Sequence, residues 1–283
     1  MLPQVIVPIM PAGPTAAAAA AAAADQASAA VAAGADVIEW RVDALGEAAL
    51  DPAVRAEAAD AISRALAAHA DPAAQAGAAS HPGRTLQARR VPLLAAVRTV
   101  AEGDGIALGD DAYADLLLDL AARSGIDAID VEAARLDPAS ARDLVTGIAQ
   151  TGAAVIGSSH DFRRTPSAPE IHALLDALHA AGCRTLKIAV MPTSRADVLT
   201  LMQAVESYQS AQPAPSRKPV IAMSMGPLGA VTRIAPQAFA SAATFAAVGR
   251  ASAPGQIPID QVRAALPLSG ELPGSAAAVV LRA

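Results

Sequence analysis

The sequence predicts an α/β protein built as a (β/α)8 TIM barrel, and three observations carry that expectation. Eight short β-branched or aliphatic runs alternate with longer alanine-rich stretches, which is the rhythm of βα units on a parallel sheet. Runs such as Val220-Ile221-Ala222-Met223 are apolar at consecutive positions, as strands buried on both faces must be. At 283 residues the chain has the length such a barrel occupies as a single domain spanning 1–283. A doubly wound open sheet is the structural competitor.

The elements follow in order. Val5–Ile9 is a strand, and Thr15–Ala33 is a helix because nine consecutive alanines, Ala16 to Ala24, have the best intrinsic helix propensity. Asp25, Gln26 and Ser28 interrupt that run, and alanine is only weakly hydrophobic, so it is not a membrane segment. Strands are predicted at Ala35–Val42, Val91–Arg98, Ala128–Glu132, Ala153–Ser158, Arg184–Val190, Pro219–Met223 and Thr244–Val248. Helices are predicted between them, among them Asp111–Arg123, Ser140–Thr151, Ala168–Ala181 and Ser194–Tyr208. The stretch 69–90, rich in Ala, Gly, Pro, Ser and Gln, has no period and reads as a surface-loop insertion. Pro213, Pro215 and Ser216 mark a second loop, and neither loop breaks the βα rhythm.

Composition narrows the function. With 53% hydrophobic and 17% charged residues the chain folds around a core, and with 2% aromatics that core is made of Ala, Val, Leu and Ile. Twenty-one basic against 27 acidic residues give a net charge of −6, which leaves no electrostatic footprint for nucleic acid or an acidic membrane. The single cysteine, Cys183, excludes an intrachain disulfide and a multi-thiolate metal site, in keeping with a reducing cytoplasm. Met1-Leu2-Pro3-Gln4 has no basic region before an apolar stretch, so no signal peptide is expected.

In a βα barrel the working side chains leave the C-terminal ends of the strands. Period two puts Glu39, Arg41 and Asp43 on one strand face and Ile38, Trp40 and Val42 on the other. The charged face is either an interior ion-pair ladder or a substrate contact. Lys187 and Lys218 are the two lysines, and Lys187 sits in the apolar strand Leu186-Lys187-Ile188-Ala189-Val190. It is either a desolvated amine suited to a Schiff base or a charge-paired structural lysine. Lys218, in a Pro/Ser-rich loop, reads as solvated.

His160 ends a strand and suits a general base as well as it suits a structural histidine. His69 and His81 fall in the polar loop, and His172 and His179 share a surface helix face. No zinc-protease or EF-hand spacing is present, so no metal is expected. Arg98 and Glu102 flank a glycine-containing turn that can approach a ligand closely, or form an exposed ion pair. Met223 to Arg233 fits neither a Walker loop nor a dinucleotide fingerprint, which leaves Arg233 as a clamp for a carboxylate or phosphate. Ser252 and Gln256 offer a hydroxyl and an amide just after the last strand, in what is otherwise a plain loop.

Taken together these segments resemble the type I 3-dehydroquinate dehydratases, Schiff-base enzymes of the shikimate route to aromatic amino acids. The resemblance spans nearly the whole chain. It rests on Glu39 to Asp43, the Arg98-Thr99 and Glu102-Gly103 turn, Ile129 to Glu132, Ser159 to Phe162, Lys187 to Pro192, Met223 to Arg233 and Ser252 to Gln256, in the family's order. His160 and Lys187 also stand at the family's spacing.

The resemblance implies a lyase that converts 3-dehydroquinate to 3-dehydroshikimate by syn elimination of water, with no metal or organic cofactor, in a cytoplasmic homodimer. It implies that Lys187 forms the imine, His160 moves the proton and Glu102 orients His160. Arg233 would clamp the substrate carboxylate, with Glu39, Arg41 and Arg98 as further polar contacts. Ser252 and Gln256 would lie on a closing loop, with Phe162 and Met223 as apolar walls. Three departures stand out: Asp104 where a second glycine is usual, Thr232 where serine is usual before the clamp arginine, and no segment matching the family's N-terminal barrel-covering hairpin. Competing readings are a class I aldolase or transaldolase on the same barrel, and a non-catalytic metabolite-binding barrel.

Overall fold

The aliphatic runs form the predicted parallel strands, and alternation decides which side chains enter the barrel. The computed structural model describes residues 2–70, 90–103, 105–213 and 216–269. Its strands are β1 (Gln4–Ile9), β2 (Val37–Arg41), β3 (Leu93–Ala96), β4 (Ala128–Val131), β5 (Ala154–Asp161), β6 (Thr185–Val190), β7 (Val220–Ser224), β8 (Ala243–Ala247) and a two-residue β9 (Ile257–Pro258). The helices are α1 (Ala16–Ala32), α2 (Pro52–Ala68), α3 (Asp110–Ala121), α4 (Pro138–Gln150), α5 (Ala168–Ala180), α6 (Arg195–Ala211), α7 (Ala230–Ile234) and α8 (Ile259–Ala265).

The strands pair in the order β7-β6-β5-β4-β3-β2-β1-β8-β9, so β1 lies between β2 and β8. The ring closes between β7 and the entry to β8 through one bridge, Val220 to Ser241, where Ala242 N–H donates to the Val220 carbonyl at 2.8 Å. The Ser241 hydroxyl strengthens this seam by accepting the Ala222 N–H at 3.0 Å. Closure removes the open doubly wound alternative, and the fold is the (β/α)8 TIM barrel.

Two strand ends differ from the sequence expectation for identifiable reasons. β3 stops at Ala96 rather than Arg98, because the Arg98 N–H leaves the ladder to donate to Asp43 Oδ1 at 3.0 Å. β5 runs on to Asp161, with His160 paired to Ala189 of β6, so the histidine is part of the barrel wall. Helix α2 was not among the predicted stretches, although Asp51 caps it by accepting the Ala53 N–H and Pro52 occupies its first turn. Of the predicted loop over 69–90, residues 71–89, His81 included, lie outside the described residues, as do Asp104 and Pro215.

The core has two layers. Ile38 and Trp40 of β2 and the buried aliphatic faces of the helices form the outer one, between sheet and helices. Small residues build much of it: Ala19, Ala20, Ala23, Ala27 and Ala30 are the buried face of α1, which allows a close approach to the sheet. The inner layer, inside the barrel, includes Ile6, Leu94, Ile156, Ile221, Met223 and Phe245. Among the described residues no helix is long and apolar enough to cross a membrane. Cys183 is buried as a free thiol, and burial pushes it up to about 12.

Candidate active site

Above the apolar inner layer the same inward positions become charged. Asp130 of β4 is the centre, fully buried with both oxygens occupied. Oδ1 accepts from Arg98 Nη1 at 2.8 Å and from the Ser158 hydroxyl at 2.6 Å, while Oδ2 accepts from Arg98 Nη2 at 2.6 Å and Lys187 Nζ at 2.9 Å. Burial alone would raise this carboxyl, but Arg98 and Lys187 overcome it and hold Asp130 well below the usual carboxylate range. Glu39 of β2 adds Oε1 at 3.4 Å from Lys187 Nζ and 3.7 Å from Arg98 Nη2. Lys187 Nζ also lies 4.5 Å above the Phe245 ring. The lysine is therefore buried and doubly paired, held at a fixed point of the barrel interior.

Two predicted substrate contacts are tied up within the protein. Arg98 forks onto Asp130, and Arg41 forks onto Asp43 at 2.9 and 2.6 Å. The period-two face of β2 is thus partly the ion-pair ladder that its spacing allowed.

His160 and Glu102 form the second group. Glu102 Oε2 accepts the His160 backbone N–H at 3.1 Å and lies 2.8 Å from Nδ1. With the ring proton on Nδ1, that nitrogen donates to the same oxygen as the backbone N–H and Nε2 carries the lone pair. Burial, then the nearby Arg98 and Lys187 cations, push His160 well below its usual value. Burial and then the Glu132 charge push Glu102 up to about 8. Both shifts, a lowered histidine and a raised carboxyl, favour the uncharged forms over an ion pair. Phe162 stacks beside His160 with centroids 6.5 Å apart, and its ring covers Gly103, where φ is +139° and a Cβ would lie 2.5 Å from Cε2.

Arg233 on α7 makes the third group. It is 1% exposed, yet its contacts are only Met223 Sδ at 3.7 Å and the carbonyls of Phe245 and Pro254 at 3.5 and 3.3 Å. Its Nε has no partner, and burial brings the guanidinium down to about 10. Ser252 and Gln256 bond each other, Ser252 N–H to Oε1 at 2.7 Å and Nε2 to the Ser252 hydroxyl at 2.9 Å. It is the Pro254 carbonyl of their loop, not either side chain, that meets Arg233.

Sequence reasoning assigned no role to Asp130, Glu132, Ser158 or Phe245. The signal for the first two was in Ile129-Asp130-Val131-Glu132, which alternates charge at a strand exit as β2 does. Of the other histidines, His172 is not a free surface group: its Nε2 is 2.9 Å from the Ala204 carbonyl and its ring tilts against Tyr208. Lys218, expected in solvent, is half-buried and donates to the His179 carbonyl at 3.1 Å.

Glu102, Glu132 and His160 bring ligand atoms within 4.8 Å of one another. Both Glu132 oxygens already serve Thr99, at 3.2 and 2.6 Å, so the trio is a hydrogen-bonded network rather than an open coordination sphere. A cleft of about 700 Å³ runs from Glu102 and His160 past Phe162 to Arg163 and Leu174. Lys187 does not line it, because the cleft follows the outward-facing Ile188 and Val190 of the same strand.

The chain is 39% identical over 234 residues to the 3-dehydroquinate dehydratase of Klebsiella pneumoniae subsp. pneumoniae, covering 82% of each chain. It is similar to the crystal structure of 3-dehydroquinate dehydratase from Geobacillus kaustophilus HTA426, with TM-score 0.76 and 28% identity over 94% of this chain and 90% of that one. It is equally similar, at TM-score 0.76 and 28% identity over 94% and 92%, to the type I 3-dehydroquinate dehydratase of Clostridium difficile with covalent modified comenic acid. The family profile described as Type I 3-dehydroquinase matches residues 14–273, and the chain belongs to that family.

Proposed function

We propose that this protein dehydrates 3-dehydroquinate to 3-dehydroshikimate through an imine on Lys187. The observation that carries the reading is Arg233: a buried guanidinium with no anionic partner among the described residues, separated from Lys187 by the single residue Phe245. A buried cation left unpaired is costly, and a substrate carboxylate supplies the missing charge.

The chemistry balances on groups in place. The Lys187 ammonium and the C3 ketone give an iminium and one water, so a positive charge stays beside Asp130 and Glu39 until the enamine forms and passes it to His160. His160 Nε2 takes the C2 proton, and the electron pair moves into the iminium to give an enamine. The enamine then expels the C1 hydroxyl, which leaves as water with the proton from the His160 imidazolium. Hydrolysis of the iminium frees the product and restores the lysine. Glu102, on Nδ1, fixes the ring so that Nε2 serves both transfers.

The name of the Clostridium difficile neighbour, which records a covalently modified small acid, supports a covalent route. A homodimeric cytoplasmic enzyme without metal or organic cofactor belongs to the same proposal, and sedimentation and assay after chelation test it. The principal experiment is borohydride reduction during incubation with 3-dehydroquinate, read by intact mass. A substrate-derived adduct is expected on the wild type and not on Lys187→Ala. Folded wild type that gives no adduct overturns the reading.

A further inference from the structure

Glu132 has no task in the mechanism above, yet it lies wholly buried beside the histidine and ties three elements together. Its Oε2 accepts the Thr99 hydroxyl at 2.6 Å, and its Oε1 accepts the Thr99 N–H at 3.2 Å and stands 3.6 Å from Arg98 Nη1. Its own N–H donates to the Tyr113 hydroxyl of α3 at 2.8 Å. Thr99 in turn starts the turn that delivers Glu102, whose N–H donates to the Thr99 carbonyl at 3.2 Å. The two glutamates and His160 approach within 4.8 Å.

We infer that Glu132 is a positioning residue for the dehydration: it anchors the turn that brings Glu102 to His160, and its charge sets how firmly the imidazole holds a proton. The inference rests on the reading of His160 as proton carrier. Glu132 is faced by Arg98, Asp130, Glu102 and Tyr113, and Glu102 by Glu132, Arg98, Asp130 and His160. His160 is faced by Arg98, Lys187, Asp130, Arg41 and Glu102. Two carboxyl groups this close in a buried space resist double ionisation. Burial raises both carboxyls, but Arg98 and the Thr99 donors oppose it at Glu132, whereas at Glu102 the Glu132 charge adds to it and brings the group to about 8.

The sign of the effect follows. Without the Glu132 charge, Glu102 ionises at lower pH and puts a full negative charge 2.8 Å from Nδ1. That favours the imidazolium, and a base that must start neutral then stays protonated to higher pH.

The test is the pH profile of Glu132→Gln and Glu132→Asp. Glu132→Gln is expected to move the acid limb of kcat/KM upward by about one pH unit and to lower kcat by about tenfold, with KM little changed. Glu132→Asp, which keeps the charge but shortens its reach, should lower kcat and leave the limb where it was. Equal losses in both variants with an unmoved limb would mean a structural role and would overturn the inference. If Glu132→Gln does not fold, Thr99→Val decides: it frees the turn and keeps the charge, so kcat must fall at a fixed limb, and wild-type kcat there is equally fatal. Borohydride trapping on the wild type separates the outcomes. An adduct with an unmoved limb rejects only the role of Glu132, whereas no adduct rejects the imine reading itself.

Discussion

Arg98 and Arg233 are both buried at the barrel mouth, and they are treated in opposite ways. Arg98 faces Asp130 at 2.6 Å, Glu132 at 3.6 Å and Glu39 at 3.7 Å, whereas Arg233 has only carbonyls and a sulfur around it and an Nε without a partner. Each environment leaves its mark. Burial opposes the charge of Arg98, but the carboxylates outweigh it and hold the guanidinium well above its usual value, while burial acts unopposed on Arg233. On the proposed function, the cation that the fold satisfies serves the fold and the one it leaves short is available to the substrate carboxylate.

The sharpest way to break this comparison is Arg98→Met. It leaves Asp130 and Glu39 to Lys187 and takes from Glu132 the cation 3.6 Å away, and breaking a buried pair by removing one partner costs about 3–5 kcal/mol. A correspondingly lower urea midpoint is expected at unchanged m-value. Loss of substrate binding with the midpoint intact would instead return Arg98 to the substrate contacts.

Arg233→Met is the counterpart and should do the reverse. It removes an unsatisfied charge, so stability should move by no more than about 1 kcal/mol, while KM rises by about ten- to a hundredfold through the lost charged hydrogen bonds. A destabilisation as large as that of Arg98→Met would reveal a partner for Arg233 and remove the clamp.

This contrast was only half legible in the sequence. The strands could be read because aliphatic runs of that length cannot stay in water, and Glu39, His160 and Lys187 stood out as charge within them. Their pairing could not be read, because it joins positions far apart: Lys187 meets Asp130 across 57 residues and Glu39 across 148. Arg98 and Arg233 look equally suited to bind an anion until closure of the barrel assigns the carboxylates to one of them. The end of β3 was hidden for the same reason, since a side chain 55 residues away takes the Arg98 N–H. Helix α2 was hidden differently: its Asp51-Pro52 start is local, but a mixed alanine and charge pattern after it has a weak period.

Glu102 is the mirror image of Arg233, an acid whose side chain is 7% exposed and whose shift is upward, and its effect is read as a slope in pH. Its carboxyl binds a proton more tightly in the folded chain, up to about 8, than in the unfolded one, near about 4.3. The sign follows from linkage: the stabilisation is fully present below the unfolded value and is lost as pH rises through the folded one. Urea unfolding should therefore show stability declining between about pH 4.3 and pH 8, and Glu102→Gln, which cannot ionise, should flatten that slope. Asp130 works the other way, since its depressed value confers stability that is lost only as pH falls through the acid range below its unfolded value. The decline through neutral pH is thus separable from acid unfolding by pH alone. An unchanged slope in Glu102→Gln would show that Glu102 is ionised beside His160 and that the extra proton of the folded state sits elsewhere in the network.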